Sequence, residues 1–265
     1  MEMNHERSGY FKNYHNLYKR RLRKTFAKAG LVIVNSALDK QKFERQFPKF
    51  QDKIIITQGI ADENYYPLSW AERENIKIKY AGGREYFIIT QCSRNTEELI
   101  GILKSFSIFK KKQQSNIQLL LTGVSSSILN EFELKLATFK YRNDVHIYHV
   151  AVPQLRKIIS ASYGYLHPFF PGGTSGILNA FAAGVPVIAC DNDHYREIAV
   201  DAALYANAGD TESLANQLIL LYKDEGLRNS IIEKGNERIR AFSRDEMISE
   251  LWTALKKLEL IKTKH

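Results

Sequence analysis

From Leu31 onward, short runs rich in β-branched residues or leucine alternate with longer stretches whose apolar residues recur at helical spacing. Parallel strands joined by crossover helices need this alternation, because the helices cover both faces of the sheet. An α/β fold is therefore expected. Strands are predicted at Leu31 to Asn35, Lys53 to Thr57, Tyr86 to Gln91, Ile117 to Thr122, Val145 to His149, Tyr163 to His167, Pro186 to Cys190 and Ala203 to Tyr205. Helices are predicted between them at Ser36 to Gln46, Trp70 to Tyr80, Glu97 to Lys112, Ser126 to Lys140, Pro153 to Ser160 and Ser175 to Ala183. After Tyr205 the pattern becomes helical throughout, over Thr211 to Lys223, Gly226 to Ala241 and Asp245 to Lys257, with Asp210 as a cap.

At 265 residues, 44% hydrophobic and 25% charged, the chain has material for one large or two small cores and is too apolar for disorder. Its most apolar stretch, Gly176 to Cys190, is broken by Asn179, Gly184 and Pro186, so a membrane-spanning helix of about eighteen residues is not expected. Cys92 and Cys190 make neither a disulfide framework nor a metal cluster, and the polar first residues lack a secretory core, which suits a reducing cytoplasm. No metal and no cofactor is expected.

The net charge is +9, concentrated in Lys19, Arg20, Arg21, Arg23 and Lys24 of a basic helix read from Asn13 to Lys28, and in Lys256, Lys257, Lys262 and Lys264. Such clusters are solvated helix faces or sites for anionic partners. Nothing near them reads as base recognition, so no nucleic-acid partner is expected, and peripheral contact with the inner surface of an anionic membrane is the functional option.

Residues 163–190 run strand, glycine-rich loop, helix, turn, strand. Gly172, Gly173 and Gly176 let backbone come close to a ligand, and the helix that follows directs unpaired N–H groups and a positive dipole end at whatever fills the loop. An anion such as a diphosphate fits there; a glycine-rich turn also serves simply to reverse a chain.

The stretch Leu178-Asn-Ala-Phe-Ala-Ala-Gly184 followed by Pro186-Val-Ile-Ala189 resembles the donor-binding core of the family-four (group 1) retaining glycosyltransferases of GT-B fold. The likeness continues through Arg196-Glu-Ile, Asp201-Ala-Ala-Leu, Asp210-Thr-Glu-Ser-Leu-Ala, Leu227 to Gly235 and Phe242-Ser243. Upstream, Leu31-Val-Ile-Val-Asn-Ser36 resembles the strand closing the acceptor domain, and Ile56-Thr-Gln-Gly-Ile-Ala61 the crossover between domains. The resemblance implies a Rossmann-like parallel sheet with helices on both faces, the C-terminal half of a GT-B enzyme. Residues 1–58 are then a remnant of the N-terminal domain, 59–82 a linker and helix, and 83–265 the nucleotide-sugar domain.

It further implies transfer of a hexose from a nucleoside diphosphate sugar with retention. Gly172, Gly173, Thr174 and Ser175 would face the diphosphate, Asn179 the ribose and Arg94 the phosphate charge, with His167 and Glu197 beside them. The family's two glutamates, separated by seven residues, fall on Pro171 and Asn179, and its phosphate-binding Arg and Lys fall on Cys92 and Glu97. No residue stands out as a general acid or base. Because these charged groups are replaced, a catalytically silent GT-B-like subunit that supports an active glycosyltransferase is the alternative. A separate chain or an N-terminal region completing the cleft is another expected partner.

Overall fold

The computed structural model describes residues 19–57, 59–90, 92, 95–168 and 173–262. The chain divides into two compact units, Met1–Gln58 with Arg244–His265, and Gly59–Ser243. The segment 59–82, expected as a linker, falls in the second unit, and the last helix groups with the first.

In the first unit, α1 (19–28) is followed by β1 (Val32–Val34), α2 (Ala37–Gln46) and β2 (Ile54–Ile56), and the C-terminal helix α11 (Arg244–Lys262) belongs to it. β1 and β2 pair in parallel, Val32 opposite Ile54. Phe26 packs against Phe43, Phe47 and Phe50 at centroid distances of 4.6, 5.1 and 6.1 Å. Lys53 Nζ donates to the carbonyls of Phe26, Ala27 and Ala29 at 3.2, 3.2 and 2.7 Å, placing a cation on the negative end of α1. This unit holds eighteen Lys and Arg against nine Asp and Glu, whereas the second holds twenty of each, so the whole +9 resides in the first.

The second unit alternates as expected: α3 (Trp70–Ala81), β3 (Tyr86–Ile89), α4 (Thr96–Gln113), β4 (Gln118–Thr122), α5 (Ser126–Leu136), β5 (Val145–Tyr148), α6 (Val152–Ser160) and β6 (Gly164–His167). Then come α7 (Ser175–Ala182), β7 (Val187–Cys190), α8 (Asp193–Ala199), β8 (Ala203–Ala206), α9 (Thr211–Lys223) and α10 (Glu225–Arg238). The six strands are all parallel, in the order β5-β4-β3-β6-β7-β8. Strand side chains alternate between two cores: Tyr86, Ile88, Leu120, Tyr165 and Val187 meet α3, α6, α7 and α8, while Phe87, Ile89, Leu119, Leu121 and Leu166 meet α4, α5 and α9. Helices therefore cover both faces.

Several boundaries differ from the sequence reading. α5 stops at Leu136, where the Thr138 hydroxyl donates to the Lys135 carbonyl at 2.7 Å and the chain turns away. The helix predicted from Gly226 to Ala241 ends at Arg238 and finishes in a tighter turn over Ile239–Ala241. The segment after β7, expected as a loop, is the short helix α8, capped by the Asn192 side chain accepting from the Tyr195 N–H at 2.9 Å. Two turns of helix carry too few apolar positions to show a period. Among the described residues, no helix is long and apolar enough to cross a membrane.

Candidate functional site

Strand order reverses between β3 and β6, since the chain proceeds from β3 outward through β4 and β5 and then returns to β6 before β7 and β8. The connections leave opposite sides of that point and open a crevice at the carboxyl ends of the strands. There a cavity of about 590 Å³ is lined by Thr90 beyond β3, Thr122 and Gly123 at the end of β4, His149 and Val150 beyond β5, and Ser175, Gly176 and Asn179 on α7, with Tyr65 closing one side.

α7 enters this cavity by its N-terminus. Thr174, at its cap, has helical backbone angles and makes no side-chain capping bond, unlike the caps of α3, α4, α5, α8, α9 and α10. Among the described residues nothing accepts from its first N–H groups, which suits a ligand that does. Gly173 is exposed, and among the described residues the nearest atom to a Cβ built on it is Ser175 Oγ at 3.9 Å.

Gly176 has a different reason to be glycine. A Cβ at that position would collide with the hydroxyl of Tyr165, so the space is filled by protein rather than reserved for a ligand. That hydroxyl lies 2.8 Å from Thr90 Oγ1 and 3.4 Å from His167 Nδ1. His167 is only 6% exposed, packed edge-on against Tyr195 with centroids 4.8 Å apart. Burial pushes its imidazole down to about 4, the Gly173 backbone opposing only in part. It is a neutral core histidine, not one of the cavity's lining residues.

Asn179 does line the cavity, but its carboxamide oxygen accepts from the Asp62 N–H at 2.9 Å. Asp62 in turn receives Arg156 Nη2 at 2.6 Å and the Asn64 backbone N–H at 3.0 Å. Hydrogen bonds from Asn64, and then Arg156, hold the Asp62 carboxyl below its ordinary range. A residue expected to meet a ribose thus also ties the segment after Gly59 to α7.

Glu197 sits on α8, its backbone carbonyl accepting from Arg238 Nη2 at 2.9 Å, and it is not a lining residue. Glu97 opens α4, its N–H bonded to the Asn95 side chain at 2.9 Å, a favourable place for a carboxylate. Cys92 is buried, and burial pushes its thiol up to about 12. Arg94, Pro171 and Gly172 lie outside the described residues. A more enclosed hollow of about 260 Å³ between α4 and α9 is bordered by Glu97, Glu98 and Asp210, whose carboxylates would repel a diphosphate.

The lining residues Tyr65, Thr90, Thr122, Gly123, His149 and Val150 were not read from sequence. Each closes a strand or leads into a helix, and their convergence follows only from the strand order. Residues 72–238 match the family model for glycosyl transferases group 1. The chain belongs to this family. Over 241 residues it is 22% identical to the O-antigen chain mannosyltransferase B of Escherichia coli, an alignment covering 89% of this chain and 63% of that protein. Over 91 residues it is 32% identical to a phosphatidyl-myo-inositol mannosyltransferase of Mycobacterium leprae, covering 33% and 24%.

Among solved structures, a glycosyltransferase of Rickettsia africae superposes with a TM-score of 0.76 at 17% identity, covering 92% of this chain and 67% of that one. Anabaena Alr3699/HepE, solved with UDP and glucose, gives 0.73 at 15%, covering 86% and 63%. This group 1 glycosyl transferase chain therefore has the Rossmann-like six-stranded sheet of the C-terminal half of the GT-B fold and spans under two thirds of the mannosyltransferase B it matches.

Proposed function

We propose that the cavity at the strand-order reversal receives a nucleoside diphosphate sugar and that the chain serves as the donor-binding half of a retaining hexosyltransferase. The observation that carries this is the uncapped N-terminus of α7 opening into the cavity through Ser175 and Gly176. Oriented N–H groups and a positive dipole end suit a diphosphate, whose charge grows as it leaves the sugar. Gly173, Thr174 and Ser175 present donors to it, Gly172 and Arg94 are assigned there by sequence alone, and Tyr65 and Asn179 border the nucleoside side. The UDP named with the Anabaena neighbour supports the same ligand class. Retention and a hexose follow from the family resemblance.

Amide hydrogen exchange of the full chain with and without UDP tests the placement. Protection is expected at residues 174–179 and at the loop after β5. Protection confined to other helices contradicts it.

The first unit is proposed as the membrane-facing part, because it holds the whole net positive charge and α11 exposes Ile248, Trp252 and Leu255 at helical spacing.

A further inference from the structure

A second cavity, of about 440 Å³, lies at the opposite end of the sheet, where β3 and β6 begin. Glu85 and Tyr163, the residues immediately before those strands, form its floor with Arg228 of α10, while Trp70 and Arg73 of α3 form its rim. Lys77 Nζ sits 2.5 Å from Glu74 and 2.8 Å from Glu85 Oε1, whereas Glu85 Oε2 is buried without a partner among the described residues.

The two arginines are differently placed. Neither Arg73 nor Arg228 has a carboxylate within ion-pair distance among the described residues. The Arg228 guanidinium lies 4.4 Å from the centroid of the Tyr163 ring, and its Nη2 donates a long 3.5 Å bond to the Tyr163 carbonyl. Its Nε is buried without an acceptor among the described residues. Burial pushes the Arg228 pKa down, the nearby Arg73 charge adding to it while Tyr163, Glu85 and Glu225 oppose it. A guanidinium N–H left buried without an acceptor is costly, and the cost is relieved when an acceptor arrives. Trp70, at the rim, is 78% exposed. An indole standing in water beside a cationic hollow offers an apolar platform to whatever ring that anion carries.

We propose that this hollow is a second ligand site, taking an oxyanion borne on a sugar ring: Arg73 and Arg228 grip the phosphate or carboxylate, and Trp70 stacks on the ring. Guanidinium forks suit both oxyanions. The site shares no residue with the cleft at the other end of the sheet, so it stands whether or not that cleft binds a nucleotide.

Calorimetric titration of the full chain with mannose 6-phosphate, glucuronate, inorganic phosphate and neutral mannose tests this. Saturable binding of either sugar anion is expected, the tighter one identifying phosphate or carboxylate, with Arg73→Gln and Arg228→Gln each weakening it at least tenfold. Trp70→Ala is expected to weaken the sugar anion several-fold and leave inorganic phosphate unchanged. Arg73 is half-buried on the rim, so its variant decides the matter should loss of the Arg228 stack impair folding. No binding of either sugar anion, equal binding of neutral mannose or of inorganic phosphate, or unchanged affinity in the Arg73 variant overturns the proposal.

Discussion

The hydroxyl of Tyr165 occupies the space that a Cβ on Gly176 would need. Strand β6 and helix α7 are thereby held in close register at the mouth of the cleft, and the same hydroxyl reaches Thr90 at the end of β3. Replacing Gly176 with Ala should therefore overpack a rigid site and cost about 1–3 kcal/mol. Removing the obstructing atom with Tyr165→Phe should recover part of that loss in the double variant. Urea denaturation of the four proteins measures it; strictly additive losses would show that the two residues do not compete for space.

The bond from the Asp62 N–H to the Asn179 carboxamide ties the segment after Gly59 to α7, beside a side-chain bond between Tyr65 and Asn179. Asn179→Ala is expected to lower stability by about 1 kcal/mol and to speed amide exchange at Asp62 and Asn64. Exchange unchanged at both amides would mean that the Asp62–Arg156 ion pair holds the segment unaided.

His167 contributes a pH dependence of definite sign. Burial holds its folded pKa at about 4, below the unfolded value near 6.5, so the unfolded chain binds the proton first as pH falls. Stability is complete above about 6.5 and declines through that window, by about 3 kcal/mol from this residue once pH reaches 4. His146, also lowered by burial, acts in the same direction. Chemical denaturation at pH 7 and pH 5 should show the decline in the native chain and a smaller one in His167→Gln; equal declines would place the effect elsewhere.

Segregation of charge into the first unit predicts binding to vesicles containing phosphatidylglycerol, absent with phosphatidylcholine alone and weakened by salt. Trp252, 60% exposed on α11, should contribute, so Trp252→Ala is expected to reduce sedimentation with the vesicles. Salt-insensitive binding, or none, would contradict the membrane-facing assignment.

The architecture was largely legible, because each buried strand is a run such as Phe87-Ile-Ile89 or Leu119-Leu-Leu121 between amphipathic helices, and two-sided burial leaves few other ways to fold. α8 escaped because its helical signal is a cap at Asn192 rather than a period. The site was legible only in part. Ser175, Gly176 and Asn179 emerge at the cavity, since a loop-to-helix motif keeps its neighbours together, whereas His167 turns inward, and Tyr165 packs against both it and Gly176 in a way that no local pattern reveals. Tyr65, Thr90 and His149 come from three separate connections, and only the parallel strand order assembles them.

Because a Cβ on Gly173 would meet no atom of the described residues nearer than 3.9 Å, Gly173→Trp is expected to fold and to obstruct the cleft. Calorimetric titration of the full chain and of this variant with UDP, GDP, ADP and their hexose conjugates is therefore the most direct measurement. Saturable binding of one nucleotide, reduced at least tenfold in the variant, is the predicted result; no binding to any of them, or equal binding by both proteins, would contradict it.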